Sequence, residues 1–153
     1  MSANKLSAIR KEREATEKQK AVEATKALWP FKRIDIRIIP TQWMREQYKD
    51  GYGDYWVDER GALQIRSREY TNPDHAFGCI IHELVEAWRC YRDGISLESI
   101  EKFDADHDDH DDPGRLPEAP YHDAHCKSME IERLMCYQDG VKWEDYDKAE
   151  PLP

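Results

Sequence analysis

The most sustained pattern of apolar and polar positions runs from Pro73 to Asp93. Phe77, Ile80, Ile81, Leu84, Val85, Ala87, Trp88 and Tyr91 fill one broad arc when each residue advances about 100°. His82, Glu86 and Arg89 share the opposite arc, with Glu83 at its edge. The spacing predicts a helix docked on a core by its apolar stripe. Asn72 supplies the cap, Pro73 the first helical position, and Asp93-Gly94 a C-terminal stop.

Upstream the period changes. From Phe31 to Ile39, Ile34, Ile36 and Ile38 alternate with Arg33, Asp35 and Arg37, the period-2 signature of a half-buried strand that Pro40 ends. Thr41 to Tyr48 predicts a short helix around Trp43 and Met44, and the glycines between Lys49 and Asp54 predict a turn. Tyr55 to Val57 and Ala62 to Arg66 flank Asp58-Glu59-Arg60-Gly61, which reads as a hairpin with Gly61 in the left-handed position. Three strands in one small antiparallel sheet thus precede the long helix. Beyond it come a short helix from Ser96 to Phe103 and an acidic loop from Asp104 to Pro120. A second long helix follows from Tyr121 to Gln138, closed by Asp139-Gly140. Trp143 and Tyr146 pin the tail to the surface. The fold class is α+β.

Residues Lys5 to Leu28 lack Gly and Pro and are rich in Lys, Glu, Ala, Gln and Arg, which favours a charged helix. No heptad is sustained there, so residues 1–28 read as a solvated helix, a partner-binding arm or a frayed tail. Residues 29–153 form the domain proper.

Charge narrows the function. A formal net charge of −9 over 153 residues argues against general affinity for nucleic-acid phosphates or anionic membranes. No apolar run reaches the roughly 18 residues of a membrane span, and the N-terminus lacks an apolar signal core, so a cytoplasmic location is expected. Cys79, Cys90, Cys126 and Cys136 form no Cys-x-x-Cys pair. Within either helix the two are about 15 Å apart, too far to bridge, so reduced buried thiols are expected.

Two groups carry the candidate chemistry: His82-Glu83-x-x-Glu86 and His122-x-x-His125. On the second helix His122, His125 and Met129 lie within about 60° of one another, with Glu132 on the His125 side, while Ala124, Ser128, Ile131 and Met135 face the other way. Two antiparallel helices of this kind form a metal-binding helix pair. Zinc suits imidazole and carboxylate donors and needs only three protein ligands when catalytic, although another divalent ion would fit the same donors. His82 and Glu86 are two candidate ligands, and His122, His125 or both complete the set. Glu83 stands beside them for proton transfer. Tyr121 is a candidate donor to a developing oxyanion, and Arg89 could do the same or neutralise Glu86. His107 and His110 lie in an aspartate-rich stretch that no EF-hand register fits, so a solvated loop, able to lid the site, is the reading there. His75, near the helix start, reads as a surface residue.

The run from Phe31 to Asp93, with the downstream histidine pair, resembles the zincin metallopeptidases. In that family a helix bears His-Glu-x-x-His: both histidines bind zinc, the glutamate is the general base, a later residue completes the metal site, and an upstream edge strand holds the substrate peptide. The resemblance implies His82 as first ligand and Glu83 as base, with Glu86 standing where the family has its second histidine. Tyr55 to Val57 or Leu63 to Arg66 would be the edge strand. The chain is also similar to small uncharacterised phage and bacterial proteins with this glutamate-for-histidine helix and a late Tyr-His-Asp-x-His. The expected function is zinc-dependent hydrolysis of a peptide or amide bond in a peptide or protein substrate. The alternative is a non-catalytic, metal-stabilised binding or adaptor protein of phage or mobile-element origin.

Overall fold

The computed structural model describes residues 31–48 and 51–152; the predicted arm over 1–28 lies outside the described residues. The order is β1 (Arg33–Ile39), two 3-10 turns (Thr41–Trp43 and Glu46–Tyr48), β2 (Gly53–Val57), β3 (Ala62–Arg68), α1 (Pro73–Asp93), α2 (Leu97–Asp106), a 3-10 turn (Pro113–Arg115), α3 (His122–Asp139) and α4 (Trp143–Tyr146). The α+β class holds, with one three-stranded sheet and four α-helices among the described residues.

Local chemistry sets most boundaries. Gly61 adopts φ 76° and closes the β2–β3 hairpin, while Asp58 Oδ1 accepts from the amides of Arg60 and Ala62, each at 2.9 Å. Asn72 Oδ1 accepts from the Asp74 amide at 3.0 Å with Pro73 in the first turn, a cap worth about 1 kcal/mol. Gly94 and Gly140 end α1 and α3 at φ 74° and 71°, a conformation in which any Cβ is strained. The predicted helix over 41–48 is instead two 3-10 turns that bury Met44 and leave Trp43 exposed.

The sheet departs from expectation. Its order is β1-β3-β2, with β2 antiparallel to β3 but β1 parallel to it, Ile34 opposite Leu63 and Ile36 opposite Ile65. The expected antiparallel sheet is therefore a mixed one, because the residues between β1 and β2 carry the chain past the strand that later pairs with both. β3 is central and β2 is an edge, so of the two candidate edge strands only Tyr55 to Val57 qualifies. Ile36 and Ile38 are 48% and 46% exposed, since α1 lies across β2 and β3 rather than β1.

α1 packs on the sheet and also along α3, so it is an inner helix rather than a surface one. This corrects the wheel. Phe77, placed on the apolar arc, is 53% exposed, whereas Cys79, Glu86 and Cys90 are buried. On α3 the buried face likewise combines Ala124, His125, Ser128, Met129, Glu132 and Cys136 rather than separating polar from apolar. The apolar core, with Tyr55, Leu63, Ile65, Ile80, Ala87 and Ala124 among its members, sits beside this polar seam. All four cysteines are free.

Candidate metal centre

Helical periodicity stacks His82 and Glu86 one turn apart, and α3 brings His125 against them. His82 Nε2 lies 3.2 Å from Glu86 Oε2 and 3.2 Å from His125 Nδ1, and His125 Nδ1 lies 2.9 Å from Glu86 Oε2. Zinc–ligand bonds of about 2.0–2.1 Å in a tetrahedron require ligand atoms about 3.3–3.4 Å apart. The three atoms thus nearly match one face of such a tetrahedron, and the three residues could hold a metal ion.

The outer partners of the imidazoles bear on which nitrogen is bare. His82 Nδ1 is 2.9 Å from Glu132 Oε2, so that nitrogen carries the proton in the neutral ring and donates it to the carboxylate. The Tyr146 hydroxyl donates to the other oxygen, Glu132 Oε1. His125 Nε2 lies 3.2 Å from Asp112 Oδ1, within ion-pair range though not aligned for a hydrogen bond. With a carboxylate behind each ring, His82 Nε2, His125 Nδ1 and Glu86 present lone pairs to one point. Without a cation there, protons must separate them. Burial opposes charge on His125, but Asp112 and Glu86 outweigh it and push the imidazole up to about 9. Burial opposes charge on His82 too, yet Glu132 and Glu86 raise it well above the usual range. Glu86 goes the other way: burial favours its neutral form, and the two imidazoles more than offset this.

Glu83 sits one residue along from His82 on the wall of the same cavity. Burial raises its carboxyl well above the ordinary range, Glu86, Asp54 and Glu132 push the same way, and His82 opposes them. Gly53 in β2 passes directly over it: a Cβ there would fall 2.5 Å from Glu83 Oε1 and 2.6 Å from Cys79 Sγ. At Gly114 a Cβ would fall 2.6 Å from His125 Cγ, and at Gly78 it would fall 2.6 Å from the Tyr146 hydroxyl oxygen. Three glycines let backbone close around the base, one imidazole and the tyrosine that holds Glu132.

The remaining candidates fall elsewhere. His122 is outside the three-residue group, with Nδ1 3.1 Å from the Gly114 carbonyl oxygen, so it fastens the 3-10 turn to α3. Tyr121 lies on the cavity wall and donates to Asp104 Oδ1 at 2.5 Å. Burial raises Asp104 to about 6, with Glu86 and Asp112 adding to the rise. Arg89 is not among the cavity walls, whereas His75 is, packed edge-on against Tyr70 and Tyr146. His107 stacks on Phe103 at 4.0 Å, while Asp111 and Asp112 from the end of the acidic loop do line the cavity. Sequence reasoning missed Asp112 and Tyr146. Glu132 carried a signal, since it lies seven residues after His125 and therefore on nearly the same helical azimuth. Among the described residues no helix is long and apolar enough to cross a membrane. Comparison with protein-family models, curated proteins and solved structures finds no match to this chain.

Proposed function

We propose that this protein is a zinc-dependent hydrolase of zincin type acting on a peptide or amide bond. His82, Glu86 and His125 hold the metal, and Glu83 transfers the proton. The observation that carries the reading is the 2.9–3.2 Å triangle of donor atoms, each imidazole having its far nitrogen turned to a carboxylate. A bound zinc supplies Lewis-acid chemistry, polarising a carbonyl and lowering the pKa of water.

The chain's own groups do the rest. Glu83, on the cavity wall one residue from His82, takes a proton from the attacking water and returns it to the leaving nitrogen. β2 is the edge strand nearest Glu83, and its outer backbone groups can pair with an extended substrate. Tyr121 can reach an oxyanion only by releasing Asp104.

Metal analysis of the purified chain against His82→Ala tests the site, and Glu83→Gln tests catalysis. Stoichiometric metal in both the parent and Glu83→Gln, with turnover lost only in the latter, is expected. A second reading, a metal-stabilised binding protein, is favoured by burial of all three ligand side chains, none more than 12% exposed. Under it Glu83→Gln changes nothing and chelation lowers the melting temperature steeply.

A further inference from the structure

β1 is the second edge of the sheet. β3 pairs with it on one side, and among the described residues no strand pairs with the other. An open edge is a template for another strand, and proteins usually blunt it with like charges, proline or a covering loop. β1 is not blunted in this way. Ile34, Ile36 and Ile38 share the face that bears the core residues Leu63 and Ile65. Yet α1 crosses β2 and β3 instead, which leaves Ile36 and Ile38 48% and 46% exposed. The opposite face carries Arg33, Asp35 and Arg37, a row of alternating sign. Asp35 accepts from Arg33 at 2.8 Å and from Gln64 at 3.1 Å. Arg37, exposed, stands opposite Arg66 of β3, a like-charge pair on one face.

We propose that β1 forms the contact of a two-fold dimer, pairing antiparallel with β1 of a second copy about an axis at Ile36. That register joins all seven residues of the strand. On one face it sets Ile36 against Ile36 and Ile34 against Ile38. On the other it sets Asp35 of each copy opposite Arg37 of its mate, so Arg37 gains the counter-charge that Arg66 denies it. Every contact is made twice, as a two-fold interface requires.

Other registers fail. Opposed residues in an antiparallel pair share a face, so the axis passes through a residue and can move only in whole steps. An axis at Asp35 opposes Asp35 to itself and Arg33 to Arg37, and an axis at Arg37 opposes that arginine to itself. Larger shifts pair less than half of the strand. The same row selects the occupant. A strand of uniform charge leaves one sign on β1 unmatched, whereas this strand reversed on itself matches both signs and the isoleucines together. The two sheets become one, with β2 at each end, so the edge beside Glu83 stays open. The dimer does not depend on the metal reading.

Sedimentation velocity of the full chain, from about 1 µM to about 200 µM, should show a monomer giving way to a two-copy species. Ile36→Lys, at an exposed position, should raise the dimer Kd at least about tenfold. Tyr137→Lys, on the exposed side of α3, should leave it within about twofold. Charge reversal tests the register itself. Arg37→Asp alone and Asp35→Lys alone each oppose like charges and should stay monomeric. Mixed in equal amounts they should recover the two-copy species, because each supplies the sign that the other lacks. Circular dichroism checks that each variant is folded, and the mixture decides if Ile36→Lys is not. A monomer at every concentration, a dimer untouched by Ile36→Lys or equally lost in Tyr137→Lys, or a mixture no more associated than its parts overturns the proposal.

Discussion

Glu132 Oε2 stands 2.9 Å from His82 Nδ1, and through that one contact a residue of α3 decides which nitrogen of an α1 imidazole is left bare. The Tyr146 hydroxyl holds the opposite oxygen, so the final short helix reaches the centre through Glu132. A carboxylate behind a ligating histidine fixes the ring and raises its basicity.

Glu132→Gln should therefore lower zinc affinity by about 10- to 100-fold while the fold is kept, measured by competition with a chromophoric chelator. Tyr146→Phe should have a smaller effect in the same direction. Unchanged affinity in both would mean that Glu132 serves packing alone.

The histidines of α3 should separate cleanly. His125→Ala and His82→Ala should each abolish stoichiometric zinc, and His122→Ala should retain it, since its ring is turned to the Gly114 carbonyl. Elemental analysis after dialysis reads the difference. Loss of zinc in His122→Ala, with circular dichroism unchanged, would move the ligand set.

Stability of the metal-free chain should fall as pH rises, while the stabilisation added by zinc should grow. In the metal-free chain His82 and His125 are raised, the latter to about 9, and Glu83 is raised as well. Groups whose folded pKa exceeds the unfolded value stabilise fully below the unfolded value and lose that contribution as pH rises through the folded one. For His125 the window is roughly 6.5 to 9, and His82, also raised, loses its contribution in the same direction as pH rises. The chelated protein should thus melt lower at pH 8.5 than at pH 6. The melting increment given by zinc should grow over the same interval, because ligation requires neutral imidazole. A zinc increment that shrinks with pH would contradict imidazole ligation.

Backbone proximity makes two glycines sensitive. In Gly114→Ala the new Cβ meets the His125 ring at 2.6–2.7 Å, and the ring cannot yield without leaving the triangle. Zinc affinity should fall, and stability should drop by about 1–3 kcal/mol as in other overpacked interiors. Gly53→Ala presses on the ends of Glu83 and Cys79 instead, so it should spare zinc content and reduce turnover. Urea unfolding and zinc titration of both variants check the contrast.

What the sequence determined by itself was local. Asn72 and Gly94 bound α1, and Gly61 closes the hairpin, because caps and left-handed turns depend on a few adjacent residues. The pairing of His82 with Glu86 followed from 3.6 residues per turn alone. Tertiary structure decided the rest. Spacing puts His122 and His125 on neighbouring azimuths but does not say how far α3 is rotated towards α1, and that rotation selects His125 with Glu132. The helical wheel set one apolar arc, Phe77 included, against the core; α1 instead lies between sheet and helix, so Phe77 is exposed while Glu86 of the polar stripe is enclosed beside His125. Asp112 and Tyr146 reach the centre only because the acidic loop and the tail fold back over it. Periodicity constrains which residues share a face, whereas packing against a second element determines what that face meets.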